Sequence, residues 1–173
     1  MLLQITRYAD LDERMLMDLY AEGNLENTDY FFPGIKDKAE AVRKVEAGFL
    51  GFLQDEFMDR PGNTYWILEE NGVWVSALRT TRIRPGLYYI EALETRPDCR
   101  RKGFAARLLT GVAETLKKDG PFRLCCCVSK KNTASLKTHL ACGFAVVSEA
   151  GWDYLLDESD SRDYGMEYRY SGN

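Results

Sequence analysis

The chain has 173 residues, enough for one compact domain with a full core and cramped for two, given roughly 100–200 residues per domain. Hydrophobic residues make up 45% and charged residues 29%, which excludes a disordered or low-complexity chain. Lysine and arginine total 23 against 27 aspartates and glutamates, a net charge of −4 that argues against general nucleic-acid binding and requires any anion site to be local.

Residues 2–8 alternate loosely and predict a first strand, followed by Asp10 and Glu13 as a D-x-x-E helix start. Arg7, Asp10, Asp12 and Glu13 come too early for a signal peptide, and no uncharged apolar run approaches the ~18 residues of a membrane span. A cytoplasmic protein without membrane contact is expected. Leu11, Met15, Leu19 and Tyr20 share a helical face that Gly23-Asn24 should end. Residues 25–34 read as a loop carrying the aromatic trio Tyr30, Phe31 and Phe32. From residue 38 to about 58, Val42, Val45, Phe49, Phe52 and Leu53 recur with the period of an amphipathic helix.

Residues 64–69 and 73–84 flank Asn71-Gly72 as a predicted hairpin, and residues 87–95 form the next strand. A helix over 104–118, a buried strand over 122–128, a short helix over 133–141 and strands over 144–148 and 164–170 complete the order β-α-α-β-β-β-α-β-α-β-β. That order predicts an α/β fold with a mixed sheet, all 173 residues in one domain. Residues 149–163 are the one stretch without a clear element. Cys125, Cys126 and Cys127 fall on the buried strand, and with Cys99 and Cys142 they make an odd count without C-x-x-C spacing. With a single histidine in the chain, a reducing compartment is expected and neither a disulfide framework nor a metal site.

The chemistry concentrates where the strand over 87–95 runs through a basic turn into the helix at Phe104. Unpaired N–H groups at a helix N-terminus, the helix dipole, small residues Gly103 and Ala105, and the charges of Arg100, Arg101 and Lys102 together form an anion cradle. G-K-S/T and G-x-G-x-x-G are both missing, which removes the P-loop and the dinucleotide fingerprint. Along this strand the alternation of large apolar residues slips once between Ile90 and Leu93, as a β-bulge would cause. Such a bulge leaves N–H groups unpaired and able to hold an oxyanion.

The turn Arg100-x-x-Gly103-x-Ala105 resembles the acyl-CoA motif R/Q-x-x-G-x-G/A of the GNAT superfamily of N-acetyltransferases. Residues 132–144, an Asn before a short helix ending in Gly143-Phe144, are similar to that family's following block. The resemblance implies an acetyl-CoA-dependent transferase moving an acetyl group to a primary amine of a small molecule or protein, with no metal. It implies the pyrophosphate on the N–H groups of Arg101, Lys102, Gly103, Phe104 and Ala105, the pantetheine beside Thr95 with Asn132 and Ser135 along it, and the N–H of Leu93 or Glu94 as oxyanion donor. Asn132 reads equally as a helix cap. N-acetylation needs a neutral amine, so a base is required, with Glu91 as first candidate and Glu94 as second.

His139 stands where many family members carry a tyrosine that protonates the departing thiolate. It would act through its charged form or through an N–H of the neutral ring, and packing against the cofactor tail is the alternative. The acidic segments 22–32 and 152–163 suit a cationic amine, and Tyr30, Phe31, Phe32 and Trp152 are candidate substrate walls. A different class, a catalytically silent acyl-CoA-binding or regulatory module, would keep the cradle and lose the chemistry. Monomer and homodimer both fit the sequence.

Overall fold

In the computed structural model, which describes residues 1–172, seven strands form one sheet in the order β1-β2-β3-β4-β5-β9-β6. The strands are β1 Leu2–Ile5, β2 Asn63–Glu70, β3 Val73–Arg84, β4 Leu87–Thr95, β5 Phe122–Ser129, β6 Ala145–Ser148 and β9 Asp163–Tyr170. The helices are α1 Glu13–Glu26, α2 Thr28–Phe31, α3 Lys38–Phe52, α4 Phe104–Leu116 and α5 Thr133–Ala141. The mixed α/β architecture expected from the sequence is therefore observed.

Side chains on β2 alternate across the sheet and tie helices to both faces. Trp66 and Leu68 pack with Leu108, Leu109, Val112 and Leu116 of α4. Tyr65 and Ile67 pack on the other face with Leu16, Leu19 and Tyr20 of α1 and with Leu53 and Phe57 beyond α3. The β2–β3 hairpin turns at Asn71 and Gly72, φ 52° and 73°, the left-handed pair that a two-residue hairpin turn demands. The β4–β5 pair is parallel, so the chain must cross over between them, and α4 is that crossover.

Several local expectations fail for physical reasons. The first strand ends at Ile5 and a 3-10 turn occupies Tyr8–Asp10, so Asp12 rather than Asp10 caps α1, its Oδ1 accepting from Met15 N at 2.9 Å. Gly23-Asn24 does not end α1. The buried stripe of Leu16, Leu19, Tyr20 and Asn24 outweighs the ~1 kcal/mol that an interior glycine costs a helix. The segment after it is partly helical as α2, and α3 ends in a π-helical turn over Leu53–Phe57. Residues 149–163 hold a second, two-stranded sheet, β7 Gly151–Asp153 with β8 Glu158–Asp160. Three-residue strands are too short to show a period of two.

Candidate active site

The site begins where β4 stops following its neighbours. Leu87 to Ile90 pair in parallel with Arg123 to Cys126, and no pair joins the two strands beyond that point. On the other side the register slips, Glu91 facing Arg79 and Glu94 facing Ala77, so that Ala92 and Leu93 together oppose Leu78. Ala92 sits at φ 50°, a left-handed conformation rare outside glycine, and the bulge read from the sequence is thereby located. The Tyr20 hydroxyl of α1 donates to Ala92 O at 2.7 Å and pins the bulge. Burial pushes the Tyr20 phenol up to about 12, so it stays a donor.

Three cavities meet at Ala92–Glu94. One, about 510 Å³, lies between the turn ahead of α4 and the start of α5; it is lined by Leu93, Thr95, Arg100, Arg101, Gly103, Phe104, Ala105, Asn132 and Ser135. A second, about 210 Å³, is the wedge between the parting strands, bounded by Glu91, Leu93, Asn132, Ser135 and His139. The third, about 630 Å³, opens under α1 and α3 and includes Ala92 and Glu94. Glu94 borders the first and third, Leu93 the first and second, Ala92 the second and third.

The first cavity fits an anion. Gly103 precedes α4 at φ 78° with no side-chain cap on the helix, and Arg101 is also left-handed at φ 60°. Left-handed residues ahead of a helix start are the backbone setting in which successive N–H groups can share one concavity. A Cβ at Gly103 would meet nothing within 4 Å, so the space above it is open. The basic rim is less free than the sequence suggests. Arg100 donates to Thr95 O at 3.1 Å, to Glu94 at 3.1 Å and to Glu22, so its charge organises the turn. Lys102 Nζ donates to Asp98 O at 2.8 Å and does not line the cavity. Asn132 caps α5, its Oδ1 accepting from Ser135 N at 3.0 Å, a role that leaves its amide nitrogen available to a ligand. Thr95 is held by a 2.8 Å hydroxyl contact with Ser76.

Glu91 and Glu94 differ sharply. Burial pushes the Glu91 carboxyl up; Arg79 opposes this and Asp153 adds to it. Glu94 Oε1 accepts from Thr95 N at 3.0 Å as well as from Arg100, and both bonds hold the side chain in place.

The surroundings of His139 suit packing better than proton donation. Its ring is buried, edge-on to Phe144 with centroids 5.1 Å apart. Nδ1 lies 2.9 Å from Ser135 O, and a carbonyl can only accept, so Nδ1 carries the proton of the neutral ring. Nε2 is then a bare acceptor, buried and without a protein partner. Burial also lowers the pKa, which disfavours the charged form. Neither N–H that the acid role needs is on offer.

Of the four aromatic wall candidates, Phe31 and Phe32 line the third cavity, whereas Tyr30 and Trp152 line none of the three and are 80% and 43% exposed. Tyr30 lies one ~100° helical step from Phe31 on the short α2, its ring edge-on to that of Phe31 with centroids 4.9 Å apart. Several acidic residues of these segments already have partners: Glu22 pairs with Arg100, Asp153 accepts from Leu155 N and Leu156 N, and Asp160 pairs with Arg162. Tyr20, Arg79, Lys44, Phe49 and Phe52, which do line or pin the site, were not singled out by sequence as site residues. They read as ordinary positions of amphipathic helices and a strand.

The sequence profile described as the acetyltransferase (GNAT) family matches residues 24–144. The chain belongs to that family. No curated protein sequence matches it. In fold it is similar to the PaiA N-acetyltransferase from Thermoplasma acidophilum, crystallised with coenzyme A, at 15% identity and TM-score 0.60 over 98% of this chain and 99% of that one. The Campylobacter jejuni N-acetyltransferase PseH, in complex with acetyl coenzyme A, aligns at 12% identity and TM-score 0.60 over 99% and 100%. A GNAT acetyltransferase from Streptococcus pneumoniae aligns at 16% identity and TM-score 0.62 over 98% and 100%. Among the described residues no cluster of metal-ligating side chains occurs, and no helix is long and apolar enough to cross a membrane.

Proposed function

We propose that this GNAT acetyltransferase binds acetyl-CoA in the cavity ahead of α4 and transfers the acetyl group directly to a primary amine seated under α1 and α3. The observation that carries this reading is the meeting of three cavities at the Ala92–Glu94 bulge, which brings a cofactor-sized cleft and an acceptor-sized cavity to the same backbone groups. When bound, acetyl-CoA supplies an activated acyl group with a thiolate leaving group of pKa near ~8.5.

The N–H groups from Arg101 to Ala105 hold the pyrophosphate, and Asn132 and Ser135 line the path of the pantetheine arm. The N–H of Leu93 or Glu94, at the bulge where β4 has parted from β5, stabilises the oxygen that gains charge. Glu91 accepts the proton that the amine must lose before or during attack, directly or through water. Its raised pKa brings it nearer the ideal for a base at neutral pH. Glu94, fixed by Arg100, marks the boundary between cofactor and acceptor. His139 Nε2 serves as an acceptor facing the wedge, and the departing sulfur takes its proton from solvent. Five unbridged cysteines suit a reducing cytoplasm.

The test is release of thiol from acetyl-CoA across a panel of amines and peptides, with Gly103→Glu and Gly103→Ala compared. Both variants carry the left-handed strain of about 1–2 kcal/mol, but only glutamate fills the anion space and adds like charge. Gly103→Glu is expected to abolish acetyl-CoA binding by calorimetry while Gly103→Ala keeps it. Equal binding by both would move the cofactor elsewhere, and binding without thiol release on any acceptor would favour the silent module.

A further inference from the structure

The third cavity carries uncommitted positive charge, the reverse of what a simple cationic amine requires. Its walls are Tyr20, Phe31, Phe32, Val45, Phe49 and Phe52, and its charged lining groups are Lys44, Arg79 and Glu94. Glu94 is already bound to Arg100. Lys44 meets only Glu40, at 3.4 Å between half-exposed side chains, a weak pairing. Arg79 is more telling. Its side chain is 12% exposed, and its guanidinium carbon lies 5.0 Å from the Phe52 centroid, 5.3 Å from Phe57 and 5.9 Å from Phe49. Cation–π contact offsets part of its desolvation but uses none of its five N–H donors. Nε is buried without a hydrogen-bond partner. The one carboxylate within reach among the described residues, Glu91, is 3.8 Å away, beyond a hydrogen bond.

A nearly buried guanidinium with an unspent donor fork at the wall of an apolar cavity is a receptor for a planar anion. We propose that the acceptor amine also carries a carboxylate on an apolar, ring-sized body, and that Arg79 binds this carboxylate. The proposal rests on reading this cavity as the acceptor's seat. Arg79 and Glu91 face each other across β3 and β4, and their guanidinium and carboxylate are 3.8 Å apart. A cation-binding and an anion-binding group at that spacing match the short separation of amine and carboxylate in an amino acid, with Glu91, which borders the adjoining wedge, on the amine side and the aromatic walls of the third cavity around the side chain. Lys44 adds long-range attraction for the anion at the mouth.

The experiment uses two probes without an amine, 3-phenylpropanoate and its neutral amide 3-phenylpropanamide, titrated calorimetrically into the CoA-saturated protein. The carboxylate is expected to bind at least tenfold tighter than the amide, with the preference shrinking as salt is raised. In Arg79→Gln the preference is expected to fall to within about threefold, and Arg79→Lys, which keeps the charge but not the fork, to retain part of it. Should Arg79→Gln fail to fold, the wild-type comparison and Arg79→Lys still decide. Equal binding of the two probes, no binding of either at millimolar concentration, or a preference that survives in Arg79→Gln would overturn the proposal. None of these readouts requires acetyl transfer, whose failure would appear separately as absence of thiol release.

Discussion

At the scale of single residues, the two glutamates at the bulge are distinguished by their partners rather than by their positions on the strand. Glu94 spends its Oε1 on Thr95 N and Arg100, while Glu91 keeps only the distant Arg79. Glu91→Gln is therefore expected to reduce kcat/KM by about 10²-fold, at the low end of acid–base contributions, without changing acetyl-CoA affinity. The wild-type profile should fall on the acid side, because a carboxylate with a raised pKa is protonated at a higher pH than usual and loses its base form as pH drops. Steady-state kinetics from pH 5 to 8 with each variant checks this. A larger loss in Glu94→Gln would exchange the two assignments.

At the scale of elements, the bulge is the device that parts β4 from β5 and opens the wedge. Its cost is the left-handed Ala92, and its anchor is the Tyr20 hydroxyl on Ala92 O. Removing the Cβ should relieve the strain, so Ala92→Gly is expected to gain about 1 kcal/mol in urea unfolding, and Ala92→Val to lose at least as much because a β-branched residue is least tolerant of positive φ. Glycine also frees the unfolded chain, which trims the gain. If glycine and valine destabilise alike, the conformation at Ala92 carries no strain.

For the whole molecule, buried titrating groups set the response to acid. His139 has a folded pKa below its ordinary ~6.5. The unfolded chain therefore binds the extra proton between those two values, and stability falls as pH drops from ~6.5 toward the folded pKa. Glu167 acts further down. Burial alone would raise it, but hydrogen bonds from Arg123 and Arg169 together hold it low, and its contribution, present above the ordinary glutamate range, is lost as pH falls through its folded pKa. Glu91 has the opposite sign, since its raised pKa favours the folded state most at low pH and that favour is lost as pH rises through the folded value. His139→Gln removes only the first contribution. Urea unfolding at pH 7.5, 6.5 and 5.5 should show wild type losing stability relative to His139→Gln as pH falls, and parallel curves would mean that the ring is not held neutral.

The sequence by itself determined what depends on neighbours along the chain. Strand β4 and helix α5 were legible to the residue, the Asn71-Gly72 turn followed from its need for positive φ, and the basic, glycine-bearing turn was read as leading into the helix at Phe104. Even the bulge left a mark, because a single extra residue breaks the period of two. Tertiary structure decided the rest. The cavity under α1 and α3 gathers Tyr20 from α1, Phe49 and Phe52 from α3, Arg79 from β3 and Ala92 from β4, and each of these reads in isolation as an ordinary helix or strand position. The same holds for His139, whose proton is placed by a carbonyl one turn back and whose charge is suppressed by burial that no local pattern reports. Backbone conformation is chosen by residues a few positions apart and so is written locally, whereas desolvation and the pairing of charges depend on chain segments that only the closed sheet and its packed helices bring together.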